Sequence, residues 1–171
     1  MLIPYKPATM HHFRSRPKYI VLHDVSCMYP VIDKITIDDK TSQIYLSRLY
    51  NWIISGQSDL NYHFIVEKIG KDYETLLGRP LNRLCEYPDI KDDINSRAIH
   101  IGMIGKYDKQ IPTPRFYQQI AYRIIAPYMY MLGIPVGQIY FHSEVSNKNK
   151  TCPGTFFKKE DLLTRLKTLL V

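Results

Sequence analysis

The feature that most constrains the fold is the alternation of short apolar runs with longer segments of helical periodicity. Four runs are short and rich in β-branched or aromatic residues, as buried strands are. They are residues 18–23, 62–67, 99–104 and 139–141. A turn at residues 69–72 follows the second run and predicts a hairpin with residues 73–77.

Apolar residues recur at helical spacing in three further segments. They are residues 41–56, 114–132 and 162–170. The middle segment contains Pro127, and we expect this proline to kink or split the helix, because proline lacks a backbone N–H and crowds the preceding turn. Strands interleaved with helices predict an α/β fold, with a central mixed β-sheet flanked by helices.

The length and composition are those of one ordinary globular domain. The chain has 171 residues, of which residues 1–17 are polar, punctuated by proline and expected to be an irregular lead-in. Its 45% hydrophobic and 23% charged residues exclude a disordered protein. We expect no membrane insertion, since no apolar run is long enough. The N-terminus lacks the apolar core of a secretory signal, so we expect synthesis in the cytoplasm.

The chain is basic, with 23 Lys and Arg against 16 Asp and Glu and a formal net charge of +7. This excess favours an anionic partner: nucleic acid, a membrane surface or a cell-wall polymer. The basic residues are scattered, without a helical basic stripe or an aromatic RNA-binding signature. No nucleic-acid partner is therefore expected.

Cysteine and histidine positions indicate where chemistry could occur. The cysteines number three, which excludes a disulfide framework, and Cys27 and Cys85 have the character of small buried hydrophobic residues. His23 and His142 each end a predicted strand, where α/β sheets place their sites, and Cys152 follows after a polar loop. Two imidazoles and a thiolate suit a catalytic Zn²⁺ with one open position. A thiol hydrolase that uses Cys152 and His142 is the alternative.

Five blocks in a fixed order resemble a known family. They read YIVLH at 19–23, NYHFIVEKIGKDYETLLGRP at 61–80, NSRAIHIGMIG at 95–105, TPRFYQQ at 113–119 and FHSEVSNKNKTCPG at 141–154. The set resembles the zinc-dependent N-acetylmuramoyl-L-alanine amidases of type 2, a fold that phage amidase lysozymes share with peptidoglycan recognition proteins. The resemblance covers roughly residues 18–158, nearly all of the chain.

The resemblance implies a role for five residues. His23, His142 and Cys152 would hold one zinc ion per chain in a single amidase domain over residues 1–171. Tyr62 would lie beside the attacking water, where a phenol can relay a proton toward the leaving amine. Lys150 would lie beside the reacting carbonyl, where an ammonium stabilises the tetrahedral oxyanion.

Three other residues match family positions and are predicted to bind substrate: Arg79, Asn95 and His63. Arg79 and Asn95 would also suit a role in stabilising the hairpin and a loop. His63 is expected to face away from Tyr62 and to make structural hydrogen bonds, because side chains alternate along a strand.

The sequence departs from the family pattern at three places near the site. Val25 stands where the family has a hydroxyl, two residues after the first ligand. His100 stands where the family has glycine, and residues 84–94 lack the histidine that lines the family's substrate groove. These departures concern fine specificity and leave the predicted ligands intact.

The resulting prediction is a zinc-dependent hydrolase of the amide bond between N-acetylmuramic acid and L-alanine in peptidoglycan. A monomer of the phage-endolysin type, which reaches the wall after release, fits this prediction. Its positive charge would then favour the anionic wall. The alternatives are a recognition domain that binds peptidoglycan without cutting it and the Cys–His thiol hydrolase.

Overall fold

The structure of the protein, a computed structural model, describes residues 16–25 and 60–169. The helix predicted over residues 41–56, most of the lead-in and Cys27 lie outside the described residues.

Five strands form one mixed sheet with the order β3-β2-β4-β1-β5. The strands are β1 Tyr19–Val25, β2 Phe64–Ile69, β3 Asp72–Leu77, β4 Ala98–Ile104 and β5 Ile139–Phe141. β1 lies between β4 and β5 and runs parallel to both, while β2 pairs parallel to β4 and antiparallel to β3. The predicted central mixed sheet is therefore confirmed, including the hairpin of β2 and β3.

Helices flank the sheet. They are α1 Asp92–Asn95, α2 Pro114–Ile120, α3 Ala126–Leu132, α4 His142–Val145 and α5 Lys159–Lys167, with a 3₁₀ turn over Val136–Gln138. α2, α3 and α5 cover one face, and the two short helices α1 and α4 lie on the other. Alternate strand residues such as Ile20, Leu22, Ile99 and Ile101 are buried against α2, α3 and α5 in the main core. None of the helices in the described part of the chain is long and apolar enough to cross a bilayer.

The long helix predicted over residues 114–132 does not break at Pro127. Instead α2 continues into a π-helical segment, Ala121–Ile125, which leads directly into α3. The amide of Ala126 bonds to the carbonyl of Ala121, five residues back. A local π segment therefore accommodates Pro127 without ending the helix, as wide turns within helices commonly do.

The opposite sheet face carries the polar residues. On β1 and β4, His23, His100 and Gly102 share the face of Val21, because side chains alternate along a strand. Val21 belongs to a small second core cluster on this side. The register also places Leu22 of β1 beside Phe141 of β5. The residues that follow these two in the sequence are His23 and His142.

Candidate metal centre

Three side chains predicted to bind metal converge beside the end of β1. The candidate ligand atoms of His23, His142 and Cys152 all lie within 4.8 Å of one another. Both histidines are buried, and Cys152 is partly buried. The sheet register brings the two imidazoles together, because the pairing of β1 with β5 stops at Leu22 and Phe141, the residues before the two histidines. His23 does not end its strand as predicted, since β1 continues to Val25.

The loop that carries Cys152 is held against both strand ends. The backbone N–H of Ser143 donates to the carbonyl of Cys152 over 2.9 Å. The N–H of Asp24, the residue after His23, donates to the Cys152 Sγ over 3.3 Å. Burial raises the pKa of the Cys152 thiol in the metal-free protein. These contacts fix the sulfur beside the imidazoles.

Asp89 is a functional residue that the sequence reasoning missed. It is only 5% exposed, and its Oδ2 accepts hydrogen bonds from His142 Nε2 at 2.9 Å and Ser146 Oγ at 2.7 Å. The same oxygen pairs with Lys150 Nζ at 2.6 Å. Burial tends to raise the pKa of Asp89, but the hydrogen bonds from Lys150 and Ser146 outweigh it and hold this pKa well below its usual range. Asp89 is therefore a carboxylate that orients a candidate ligand.

Backbone contacts also hold the segment that carries Asp89 in place. The N–H of Asn147 donates to the Asp89 carbonyl over 2.7 Å, and Ile90 forms an isolated antiparallel bridge with Ser146. Asp89 is one of several acidic residues in a polar stretch, so its sequence context carried no signal. Only the pairing of two loops distant in sequence reveals its role.

His23 has a partner of its own on the neighbouring strand. Its Nε2 lies 2.9 Å from Nδ1 of His100, a side chain with no exposed surface. Burial lowers the pKa of His23, and the nearby imidazoles of His100 and His142 lower it further. His23 is therefore neutral near pH 7, as a metal ligand must be.

His63 in turn holds His100 in place. The ring of His63 donates from Nε2 to the Arg83 carbonyl at 2.8 Å, which leaves Nδ1 to accept the backbone N–H of His100 at 2.9 Å. The backbone N–H of His63 donates back to the His100 carbonyl, also at 2.9 Å. This pair of bonds gives His63 a structural role. The alternation argument does not apply to it, because β2 begins at Phe64 and the His63 ring lies beside that of His100, at a centroid distance of 6.0 Å.

Tyr62 lies next to the candidate ligands, with its ring centroid 5.6 Å from that of His23. Its ring packs over Gly102, where a Cβ would come within 2.9 Å of the Tyr62 Cγ. At Gly78 a Cβ would collide with the Tyr62 carbonyl. Burial is the main cause that raises the pKa of Tyr62 above its ordinary value, at which the phenol is already protonated at neutral pH. Gly102 thus makes room for the Tyr62 ring, and Gly78 for the Tyr62 backbone.

Tyr87 lies in the stretch where the family pattern has a groove histidine. Its ring stacks on His23 at a centroid distance of 4.3 Å and on His100 at 4.7 Å. Its hydroxyl donates to the Asn61 carbonyl at 2.7 Å. An aromatic ring therefore packs against both imidazoles from the segment that lacks the expected histidine.

A pocket of about 620 Å³ opens over these groups. Its lining contains the three candidate ligands, Tyr62 and Lys150, together with further aromatic, acidic and polar residues: Asp24, Tyr87, Asp108, Asn149 and Thr151. The structure thus brings together all five residues for which the family resemblance implied a catalytic or metal-binding role.

The three predicted substrate-binding residues lie outside this lining. Arg79 is buried and donates to the carbonyls of Leu60 and Leu84. His63 is buried, and Asn95 ends α1 with a buried Oδ1 that has no hydrogen-bond partner among the described residues. Contact of the three residues with substrate stays a prediction. In the structure the hydrogen bonds of Arg79 and His63 hold the segments beside the pocket together.

The donor set fits a zinc ion. Two neutral imidazoles and one sulfur are ligands that zinc accepts, and three protein ligands leave a fourth position open. Each imidazole uses Nε2 for a neighbouring side chain, Asp89 or His100, which leaves Nδ1 for a metal. Ligating histidines in metalloproteins are usually fixed through their second nitrogen in this way.

Sequence comparison identifies the family. The family model described as N-acetylmuramoyl-L-alanine amidase matches residues 13–155. The chain belongs to this N-acetylmuramoyl-L-alanine amidase family, which confirms the resemblance inferred from the sequence blocks. A comparison with curated protein sequences finds no significant match.

Solved structures of this fold come from bacteria, phages and animals. The amidase LysC from Clostridium intestinale is 22% identical, with a TM-score of 0.67 over 96% of this chain and 95% of its own. An AmpD derivative is 17% identical, with a TM-score of 0.68 and coverages of 97% and 99%. Drosophila PGRP-LB is 18% identical, with a TM-score of 0.57 and coverages of 94% and 85%. At these identities the likeness establishes the fold, as predicted.

Proposed function

We propose that the protein is a zinc-dependent amidase that hydrolyses the bond between N-acetylmuramic acid and L-alanine in peptidoglycan. The observation that carries this proposal is the meeting of His23, His142 and Cys152 in one pocket with Tyr62 and Lys150. Membership of the N-acetylmuramoyl-L-alanine amidase family supports the choice of substrate.

The ligand set prepares a site for amide hydrolysis. A zinc ion bound there would lower the pKa of its water to about 7 and polarise the amide carbonyl. His23 and His142 would bind through Nδ1, with their Nε2 atoms kept by His100 and Asp89. Cys152 would complete the set from a loop that two backbone hydrogen bonds hold in place.

Tyr62 and Lys150 supply complementary proton and charge functions. The Tyr62 phenol is neutral at pH 7, and burial raises its pKa further. It is a donor that can hold the attacking water and pass a proton to the leaving amine. Lys150 is a cation at the pocket wall, where its ammonium pairs with Asp89. From there it can stabilise negative charge on the carbonyl oxygen as water adds and the C–N bond breaks.

A thiol hydrolase fits the geometry less well. A nucleophilic cysteine needs a lowered pKa, whereas burial raises the pKa of Cys152. A recognition domain that only binds peptidoglycan would not need three ligands with two oriented imidazoles.

The biological setting in this proposal is bacterial lysis by a monomer of the phage-endolysin type, made in the cytoplasm and active on the wall after release. The fold relatives include the endolysin of the Thermus scotoductus bacteriophage Ph2119, 16% identical with a TM-score of 0.61. The net charge of +7 favours approach to an anionic wall.

The test is digestion of purified peptidoglycan by the zinc-loaded protein. The proposal predicts soluble peptides with new L-alanine amino termini, and loss of this release with chelator or with His142→Ala. Turnover that resists chelator but stops with iodoacetamide would favour the thiol hydrolase. Binding to walls without release, at full zinc loading, would favour the recognition domain.

A further inference from the structure

The side chain at position 100 reaches the candidate metal centre from the neighbouring strand. His100 Nδ1 lies 2.9 Å from His23 Nε2, and both rings are buried. The resemblance to type 2 amidases predicts glycine at this position, and glycine could not offer a side chain to His23. The contact is therefore a feature of this chain's own sequence.

The hydrogen bond between the two rings couples their tautomers. If His23 donates from Nε2, its Nδ1 carries a lone pair and can bind a metal. If His100 donates instead, His23 must accept at Nε2, and its Nδ1 carries the proton. Only the first arrangement is compatible with a metal ligand at Nδ1.

His100 is held rigidly enough to impose this geometry. Its backbone N–H and carbonyl both bond to His63, at 2.9 Å each. The Tyr87 ring stacks against both His100 and His23, with interplanar angles of 25° and 20°. The two imidazoles are thus fixed by adjacent parallel strands and by one shared aromatic neighbour.

We propose that His100 is a positioning residue, which accepts the Nε2–H of His23 and so holds His23 in the tautomer that binds zinc through Nδ1. This inference rests on the proposed zinc site. It gives His23 the kind of support that Asp89 gives His142. Outer partners of this kind typically contribute about 10–100-fold in metal affinity.

The test compares two substitutions of His100, one that keeps a hydrogen-bond acceptor for His23 and one that removes it. In His100→Asn the side-chain oxygen can occupy the place of Nδ1 and accept the His23 N–H. In His100→Leu the volume is largely kept but no acceptor remains. Met103→Leu is the control, because Met103 is fully buried on the same strand and packs into the main core on the other sheet face.

Zinc dissociation constants are measured at pH 7.5 by competition with a chromophoric chelator. We expect His100→Leu to bind zinc about 10–100-fold more weakly than the wild type. His100→Asn and Met103→Leu should stay near the wild-type value. Equal affinity of His100→Leu and the wild type would overturn the inference, and so would equal losses in the Leu and Asn variants.

A second measurement needs only the wild-type protein. Nitrogen-15 NMR of the zinc-loaded, histidine-labelled protein should show His23 coordinated through Nδ1 with a proton on Nε2. Coordination through Nε2 would overturn the role of His100 while leaving the proposed zinc site intact. Failure of the wild type to bind zinc at all would instead refute the proposed function on which the inference depends.

Discussion

Replacing Asp89 by asparagine tests whether one buried carboxylate organises the site. Three donors meet its Oδ2: His142 Nε2 at 2.9 Å, Lys150 Nζ at 2.6 Å and Ser146 Oγ at 2.7 Å. An amide has nearly the same shape. Its oxygen is neutral, however, and its nitrogen would present hydrogens to three donors.

The expected loss follows from these contacts. With the amide oxygen turned inward, the bonds to His142 and Lys150 lose their charge assistance, and Lys150 loses its ionic partner. Loss of an outer partner lowers metal affinity by about 10–100-fold, or roughly 1.4–2.7 kcal/mol. Stability of the metal-free protein should fall by about 2 kcal/mol, the scale of a hydrogen bond to a charged group.

Chelator competition gives the zinc affinity of Asp89→Asn, and urea unfolding of the metal-free protein gives its stability. Asp161→Asn is the matched control: it removes an exposed carboxylate in the first turn of α5, so zinc affinity should not change and stability should fall by no more than about 0.3–1 kcal/mol. The reasoning is refuted if Asp89→Asn binds zinc as tightly as the wild type and the control do.

Three further substitutions test single contacts. Tyr62→Phe should reduce peptidoglycan hydrolysis about 10²-fold or more with zinc content unchanged, and full activity would exclude the phenol from the reaction. Gly102→Ala puts a Cβ 2.9 Å from the Tyr62 ring, so urea unfolding should show a loss of about 1–3 kcal/mol, whereas Gly137→Ala has open space and serves as its control. His63→Asn tests pH dependence. Burial lowers the pKa of His63 from its ordinary value near 6.5 to about 4, so the folded protein disfavours the protonated ring. The unfolding free energy of the metal-free wild type should therefore be at its full value above about pH 6.5 and fall by about 3 kcal/mol as the pH drops to about 4. Equal slopes of unfolding free energy against pH for wild type and His63→Asn would contradict this assignment.

The ligand positions could be predicted because local patterns determine them. Short apolar runs identified β1 and β5; His142 directly follows β5, while His23 lies two residues before the end of β1. Parallel neighbours in an α/β sheet bring such strand ends together. Cys152 was recognisable from its place after the second histidine, within a sequence block typical of the family. The register of β1 and β5 in the structure then places His23 beside His142.

The supporting residues could not be predicted, because they depend on contacts between distant segments. Asp89 is one of several acids in a polar stretch, and its role follows from the bridge between Ile90 and Ser146. His100 was visible as a departure from the family pattern, but only the register of β1 and β4 shows that it faces His23. Pro127 was expected to kink or split the helix; the helix is not split, and the π segment that precedes the proline could not be predicted from the sequence.

Metal analysis of the purified protein shows whether His23, His142 and Cys152 form a zinc site. We expect about one zinc per chain, in keeping with a single three-ligand set, and its loss in Cys152→Ala. Cys85→Ala removes a buried cysteine outside this set and should retain the metal. A protein without zinc after loading, or a Cys152→Ala variant that keeps its zinc, would rule out a zinc site formed by these three residues.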